Sequence, residues 1–187
     1  MALTPLAIGA LALLNERPMH PYEMYQTLLE RHEDLLIKVR PGSLYHTVER
    51  LEKSKFVNAT GTEREGNRPE RTMYAITSAG EEALQSRITE VLTDPVNEYP
   101  VFPVGLSESH NLPSKKVVDC LNTYVERLDK QISEIRALLD VARGQNIPEA
   151  FWLGGDYIVN IKIAEREWVS TLIDRLASKD LTWPIHP

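Results

Sequence analysis

The sequence of 187 residues contains a single cysteine, Cys120. One thiol cannot close an internal disulfide, which excludes a disulfide scaffold and fits a reducing compartment. Long apolar runs are missing too. The longest, residues 2–14, is broken by Thr4-Pro5 and falls short of the roughly 20 residues that cross a bilayer. No Lys or Arg precedes it as a secretory leader requires, so the chain is expected to be soluble, cytoplasmic and without membrane contact. There is no glycine-rich phosphate loop of either common pattern. The five histidines, His20, His32, His46, His110 and His186, have no second ligand at helical spacing, so no metal or cofactor is expected. Cys120 directly precedes an apolar stripe, which favours a packed thiol over a nucleophile. No catalytic constellation is left, and an enzyme is not expected.

Positive charge is also scarce, with 21 Lys and Arg against 27 Asp and Glu and a net charge of −6. Its distribution is uneven. Residues 36–75 hold eight basic and five acidic side chains, a net +3, which leaves −9 for the rest. Screening over about 8 Å lets a basic segment on an acidic body meet phosphate locally. The acidic total speaks for a protein partner instead, and both readings stand at this point.

Composition is that of a globular chain, 42% hydrophobic and 26% charged, long enough for one large domain or two small ones. Thr4-Pro5 predicts a helix start with a cap and a proline at the first position, running to about Asn15. Pro21 opens a second helix carrying Tyr22, Tyr25, Leu28 and Leu29 at helical spacing. Pro41-Gly42 opens a third, in which Leu44, Val48 and Leu51 form one apolar face. Residues 57–64 and 71–76 read as two strands around a turn with Gly66-Asn67 and Pro69. Ser78 and Glu81 read as a capping box that starts a fourth helix through Ala83, Leu84, Ile88 and Leu92.

Residues 93–113 hold four of the twelve prolines and read as a connector that packs on a surface through Tyr99, Val101, Phe102 and Val104. A heptad stripe follows: Val118, Leu121, Val125, Leu128, Ile132, Ile135, Leu139 and Ala142, closed by Gly144 as the expected cap and by Pro148. Such a helix is roughly 40 Å long at 1.5 Å per residue. A last helix over about 156–177 sets Tyr157, Ile161, Ala164, Trp168 and Leu172 on one face. The expected division is 1–92, a connector 93–113, a helical domain 114–180 and a tail 181–187.

Three helices, a two-stranded ribbon and a fourth helix are the parts of a winged helix-turn-helix, whose third helix enters the major groove and whose ribbon lies along the backbone or minor groove. On the third helix His46, Glu49, Arg50 and Lys53 lie opposite the apolar face, and Ser43 sits at the open N-terminal end. An ordinary solvated face has the same layout. The ribbon turn carries Arg64, Arg68 and Arg71, suited to phosphate, with glutamates between them that also suit a solubilising hairpin.

Pro41-Gly42-Ser43-Leu44-Tyr45, then Val48-x-x-Leu51-Glu52, Phe56-Val57 and Arg71-x-x-Tyr74-x-Ile76-Thr77-x-x-Gly80 together resemble the signature of the PadR family of bacterial transcriptional regulators. Leu6-Ala7-Ile8-Gly9-Ala10-Leu11 and His20-Pro21-Tyr22-Glu23-Met24 resemble its first two helices, and the C-terminal part, with Ala164-Glu165-Arg166-Glu167, resembles its longer subfamily. His46 stands where members often have Pro, and Pro21 where they often have Gly. The resemblance implies a mainly α protein with an N-terminal winged helix-turn-helix, a two-stranded wing and a C-terminal long-helix dimerisation domain. It implies a homodimeric repressor on a pseudo-palindromic operator, released by a small aromatic effector such as a phenolic acid. Carried over by motif, the DNA contacts are Ser43, Tyr45, Arg50 and Lys53, with Arg68 and Arg71 on the wing; His46 and Arg64 join them by position. Tyr74 belongs to the ribbon's packing face.

The heptad residues Val118, Leu121, Val125, Leu128, Ile132, Ile135 and Leu139 require a cover, from the last helix, from a second copy, or from both. A dimer is the favoured expectation because two helices alone make a thin core. His110, Trp152, Tyr157, Asn160, Arg166 and Trp168 are candidate effector contacts, aromatic walls with an amide and a guanidinium. As core aromatics and a surface arginine they would need no ligand. The competing function is a winged-helix protein–protein module without specific DNA binding.

Overall fold

Thr4 starts the first helix as its composition requires: its Oγ1 accepts from the Ala7 amide at 3.3 Å, and Pro5 occupies the first turn of α1 (Pro5–Glu16). The computed structural model describes residues 3–63 and 71–184, in two units, Met1–Asn97 and Glu98–Pro187. Among the described residues no helix is long and apolar enough to cross a membrane.

In the first unit α1 is buried on nearly every side, with Leu6, Ala7, Ala10, Leu11, Leu13 and Leu14 in the core. Around it stand α2 (Pro21–Glu30), a 3-10 turn at Glu33–Leu35, α3 (Pro41–Lys53), β1 (Val57–Glu63), β2 (Arg71–Ile76) and α4 (Ser78–Thr93). Met24, Leu28, Leu44, Val48, Leu51, Val57 and Leu84 complete the core. The two strands are antiparallel, with Val57 opposite Ile76 and an irregularity between Ala59 and Gly61. Met19 extends this ribbon: its amide and carbonyl bond those of Tyr74 at 3.0 and 3.1 Å, which ties the start of α2 to β2.

Where α3 ends, Lys55 takes a left-handed φ of 62°. The Phe56 amide then reaches back to the Leu51 carbonyl at 2.9 Å and the Lys55 amide to that of Glu52 at 2.8 Å, a Schellman closure that turns the chain directly into β1. The start of α4 differs from expectation by one residue. Thr77 is the cap, its Oγ1 accepting from the Gly80 amide at 3.1 Å, so Ser78 and Glu81 form no capping box. The Thr77 hydroxyl and amide are tied to the carbonyls of Lys55 and Phe56, which places the cap one position early.

The second unit pairs two long helices, α6 (Ser114–Gly144) and α7 (Leu153–Ala177). Before them the proline-rich stretch, read from sequence as a connector, contains a short helix, α5 (Val101–Ser107). The pair is antiparallel, as shown by Asp129 with Arg166 (3.0 Å), Gln131 with Lys162 (2.8 Å) and Tyr124 with Glu165 (2.9 Å). Gly155 allows close approach, since a Cβ there would stand 3.2 Å from Leu139 Cδ2. Gly144 is not the cap of α6. It remains helical, and Asn146 takes the left-handed position with φ 55°, closed by Ile147 N to Ala142 O at 3.0 Å. Asn tolerates that conformation well enough for the glycine to be unnecessary.

Candidate nucleic-acid interface

On α3 the division into faces is complete. Leu44, Thr47, Val48 and Leu51 are buried, and the Thr47 hydroxyl is satisfied by the Ser43 carbonyl at 2.8 Å. Ser43, Tyr45, His46, Glu49, Arg50 and Lys53 face outward. His46 Nδ1 lies 3.6 Å from a Glu49 carboxylate oxygen one turn on, so an acidic side chain stands beside the outward-facing imidazole. Lys38 and Arg40 are exposed just ahead of the helix and Lys55 just after it, three cations that counting the basic segment included but the motif did not single out.

On the ribbon, Tyr74 packs against the core as expected. Arg64 and Arg68 lie outside the described residues. Arg71 is half-buried at the start of β2, its guanidinium carbon 5.7 Å from the centre of the Tyr22 ring, a cation–π distance. Tyr45 from α3 meets the His20 ring edge-on, 5.9 Å between centres. His20 caps α2, its Nδ1 accepting from the Tyr22 amide at 3.0 Å. With Gln26, these side chains line a notch of about 490 Å³. Burial, and then the charge of Arg71, hold the His20 imidazole below its ordinary pKa, against a smaller upward pull from Glu23. His20, Tyr22 and Gln26 were not assigned to the interface from sequence. The available signal was a histidine directly before a helix-starting proline, legible as a cap but not as a neighbour of Arg71, 51 positions away.

In the second unit the heptad stripe of α6 turns inward onto α7 of the same chain. Leu121, Leu128, Ile132, Ile135 and Leu139 are buried there, with Val118 and Val125 partly so, and Val117 joins them from outside the heptad pattern. The stripe therefore does not need a second copy to leave water. The apolar stripe that remains exposed is on α7: Leu153 (55% exposed), Tyr157 (65%), Ile161 (50%) and Trp168 (55%). In this pair the large exposed apolar side chains thus line α7 more than α6.

The six candidate effector residues fall into different surroundings. Trp152 packs on the helix-pair core, donates its indole N–H to the Ile147 carbonyl at 3.2 Å and has the Arg143 guanidinium over its ring. Tyr157 and Trp168 lie on the exposed stripe. The Asn160 amide bonds back to the Asp156 carbonyl at 2.8 Å, Arg166 is paired with Asp129, and His110 Nδ1 lies 3.0 Å from the Ser107 carbonyl. A polar contact that sequence reasoning did not find crosses the core: Tyr124 is stacked on Phe102 at 4.3 Å and bonded to Glu165. Burial and that carboxylate push its hydroxyl up to about 12.

The arrangement in the first unit offers donors and cations on an exposed helix face beside a ribbon, which is the equipment of a duplex reader. Residues 10–86 match the sequence model of the transcriptional regulator PadR-like family. Among solved structures, the chain is similar to Bacillus subtilis PadR in complex with operator DNA. That likeness has a TM-score of 0.78 at 14% identity and covers 91% of this chain and 98% of that one. It is also similar to the same protein in complex with p-coumaric acid (0.73, 13% identity, 92% and 96%). The PadR-like transcriptional regulator BC1756 from Bacillus cereus gives 0.66 at 18% identity over 93% and 99%. No curated protein matches by sequence. Residues 10–86 thus carry the sequence pattern of the PadR-like family, and the chain has the winged-helix fold with long C-terminal helices of the PadR structures.

Proposed function

We propose that this protein is a homodimeric repressor that binds a pseudo-palindromic operator and is released by a small aromatic effector of the phenolic-acid class. The observation that carries the DNA-binding part is the two-faced α3, which buries Leu44, Val48 and Leu51 and turns Ser43, Tyr45, His46, Arg50 and Lys53 outward. Arg50 takes a guanine edge or a phosphate, Ser43 and Lys53 take phosphates, and His46 bears on base preference. Arg71 and the wing arginines Arg64 and Arg68 meet the backbone. Two copies set their α3 helices in successive major grooves, about 10 bp or a multiple of it apart.

The dimer is supported by the exposed stripe of α7, since contiguous large apolar side chains in water mark an interaction surface. The heptad residues of α6 support that surface from behind. The effector class is supported by the similarity to a PadR bound to p-coumaric acid. Its candidate contacts remain His110, Trp152, Tyr157, Asn160, Arg166 and Trp168.

A mobility shift on the DNA upstream of the protein's own gene, at two salt concentrations and with and without p-coumarate, tests the reading. A specific, salt-sensitive shift that the acid abolishes is expected. A specific shift indifferent to the acid retains the regulator and rejects that ligand class. No shift at low salt, there or on neighbouring promoters, favours the protein-interaction module that the charge of −6 suits. Arg50→Ala is expected to weaken specific binding by about 1–3 kcal/mol.

A further inference from the structure

We propose that the notch formed by His20, Tyr22, Gln26, Tyr45 and Arg71 is an oxyanion seat that takes one backbone phosphate of the bound duplex. The proposal rests on the DNA-binding reading and adds to it a place where three elements converge on one ligand atom group. Arg71 supplies the charge. It lies over the Tyr22 ring at 5.7 Å, so the guanidinium is held by a π face, a contact that does not itself use its N–H groups. Tyr22 Oη accepts from Gln26 Nε2 at 3.4 Å, which leaves the phenol hydrogen to be given outward. His20 accepts the Tyr22 amide on Nδ1 at 3.0 Å, which sets the neutral tautomer with its hydrogen on Nε2. Because that amide is already used by the cap, the seat is built from side chains and not from the helix terminus. Tyr45 adds a hydroxyl from the outward face of α3, so the same element that reads the groove forms a wall of the notch.

The position of the seat is a product of the fold. Met19 pairs with Tyr74 through both backbone groups, at 3.0 and 3.1 Å, which fixes His20 beside the start of β2 and therefore beside Arg71. Burial and the Arg71 charge both disfavour a second proton on His20. An anion entering the notch finds one fixed cation and several neutral donors, the mixture that charge-assisted recognition of a phosphate uses.

A free aromatic carboxylate has the same chemistry, but the shape argues against it. Tyr22 and Tyr45 remain about 40% exposed in the open notch. A small-molecule site buries roughly 70–90% of its ligand, whereas a phosphate is held in place by the strand on either side of it.

The test is equilibrium binding of the full chain to its upstream duplex at several salt concentrations, for wild type, Arg71→Gln, His20→Asn and Gln26→Ala. Asn retains capping ability at position 20, so that variant keeps its helix start. Arg71→Gln is expected to lose roughly 5- to 100-fold in affinity and to reduce the salt slope by about 0.9, one phosphate's worth. His20→Asn and Gln26→Ala are expected to lose about 2- to 10-fold with the slope unchanged, because a neutral donor releases no counterion. Wild-type slope and affinity in Arg71→Gln and His20→Asn together overturn the seat while leaving the regulator intact. Unchanged DNA binding with loss of p-coumarate quenching in Arg71→Gln overturns it in favour of a carboxylate site. Failure of the wild type to bind duplex at all removes the DNA-binding reading and the seat with it, before any variant is made.

Discussion

Gly80 shows how one atom decides a local structure. A Cβ at that position would stand 2.1 Å from the Phe56 carbonyl oxygen and 2.8 Å from Ile76 Cγ1. The oxygen is backbone and already accepts from the Thr77 amide at 3.0 Å, so it cannot yield. The Thr77-x-x-Gly80 motif is therefore a packing requirement at the junction of α3, β2 and α4, and carries no ligand. Gly80→Ala is expected to destabilise the first unit by about 2–3 kcal/mol, read from the midpoint of urea unfolding. His20 provides the pH dependence. Its pKa is lowered in the folded chain, so the unfolded state binds more protons and stability rises with pH. The contribution is complete above the ordinary value of 6.5 and is lost as pH falls below it. Unfolding midpoints at pH 7.5 and 5.5 should differ more for wild type than for His20→Asn; equal differences would show that the imidazole is not the group concerned.

Among the elements, α7 covers the stripe of α6 within one chain, one of the covers that periodicity left open. The eight-position stripe of α6 is the stronger pattern in the sequence, yet its central residues are buried on α7 within one chain. Ile132→Ala, at a site 6% exposed, is expected to cost about 2–5 kcal/mol of stability for the second unit without a change of assembly on its own account. Ile161→Glu, on the exposed stripe, is expected to leave the fold of the single chain within about 0.5 kcal/mol. It should shift sedimentation from a dimer toward the 21.3 kDa monomer. A dimer that survives Ile161→Glu would place the contact elsewhere. Periodicity alone cannot make this distinction, because a helix covered by its own chain and one covered by a partner have the same spacing.

For the whole molecule, the proposed dimer would convert two modest half-site contacts into one strong one, through the high effective concentration of the second reading head. The Ile161→Glu variant is therefore expected to lose more affinity for a two-half-site duplex than for a single half-site. Equal losses would indicate damage to the reading head itself. The uneven charge gains its meaning here as well. In the proposed complex, the net −9 outside the basic segment would favour an approach of DNA through the segment that carries α3.

The order of helices and strands, the apolar faces and the helix starts at Thr4, Pro21 and Pro41 were determined by the sequence itself, because caps, prolines and periodic burial act over a few residues. The outward set on α3 followed from the same periodicity. Three things were decided only by the tertiary structure. The cap of α4 moved to Thr77 because carbonyls from the preceding turn reach it. The covered stripe proved to be that of α6 because α7 folds back along it. The notch joining His20, Tyr45 and Arg71 exists because the Met19–Tyr74 bridge draws together residues that lie up to 51 positions apart, and no local pattern in the sequence encodes a contact made by backbone pairing at that separation.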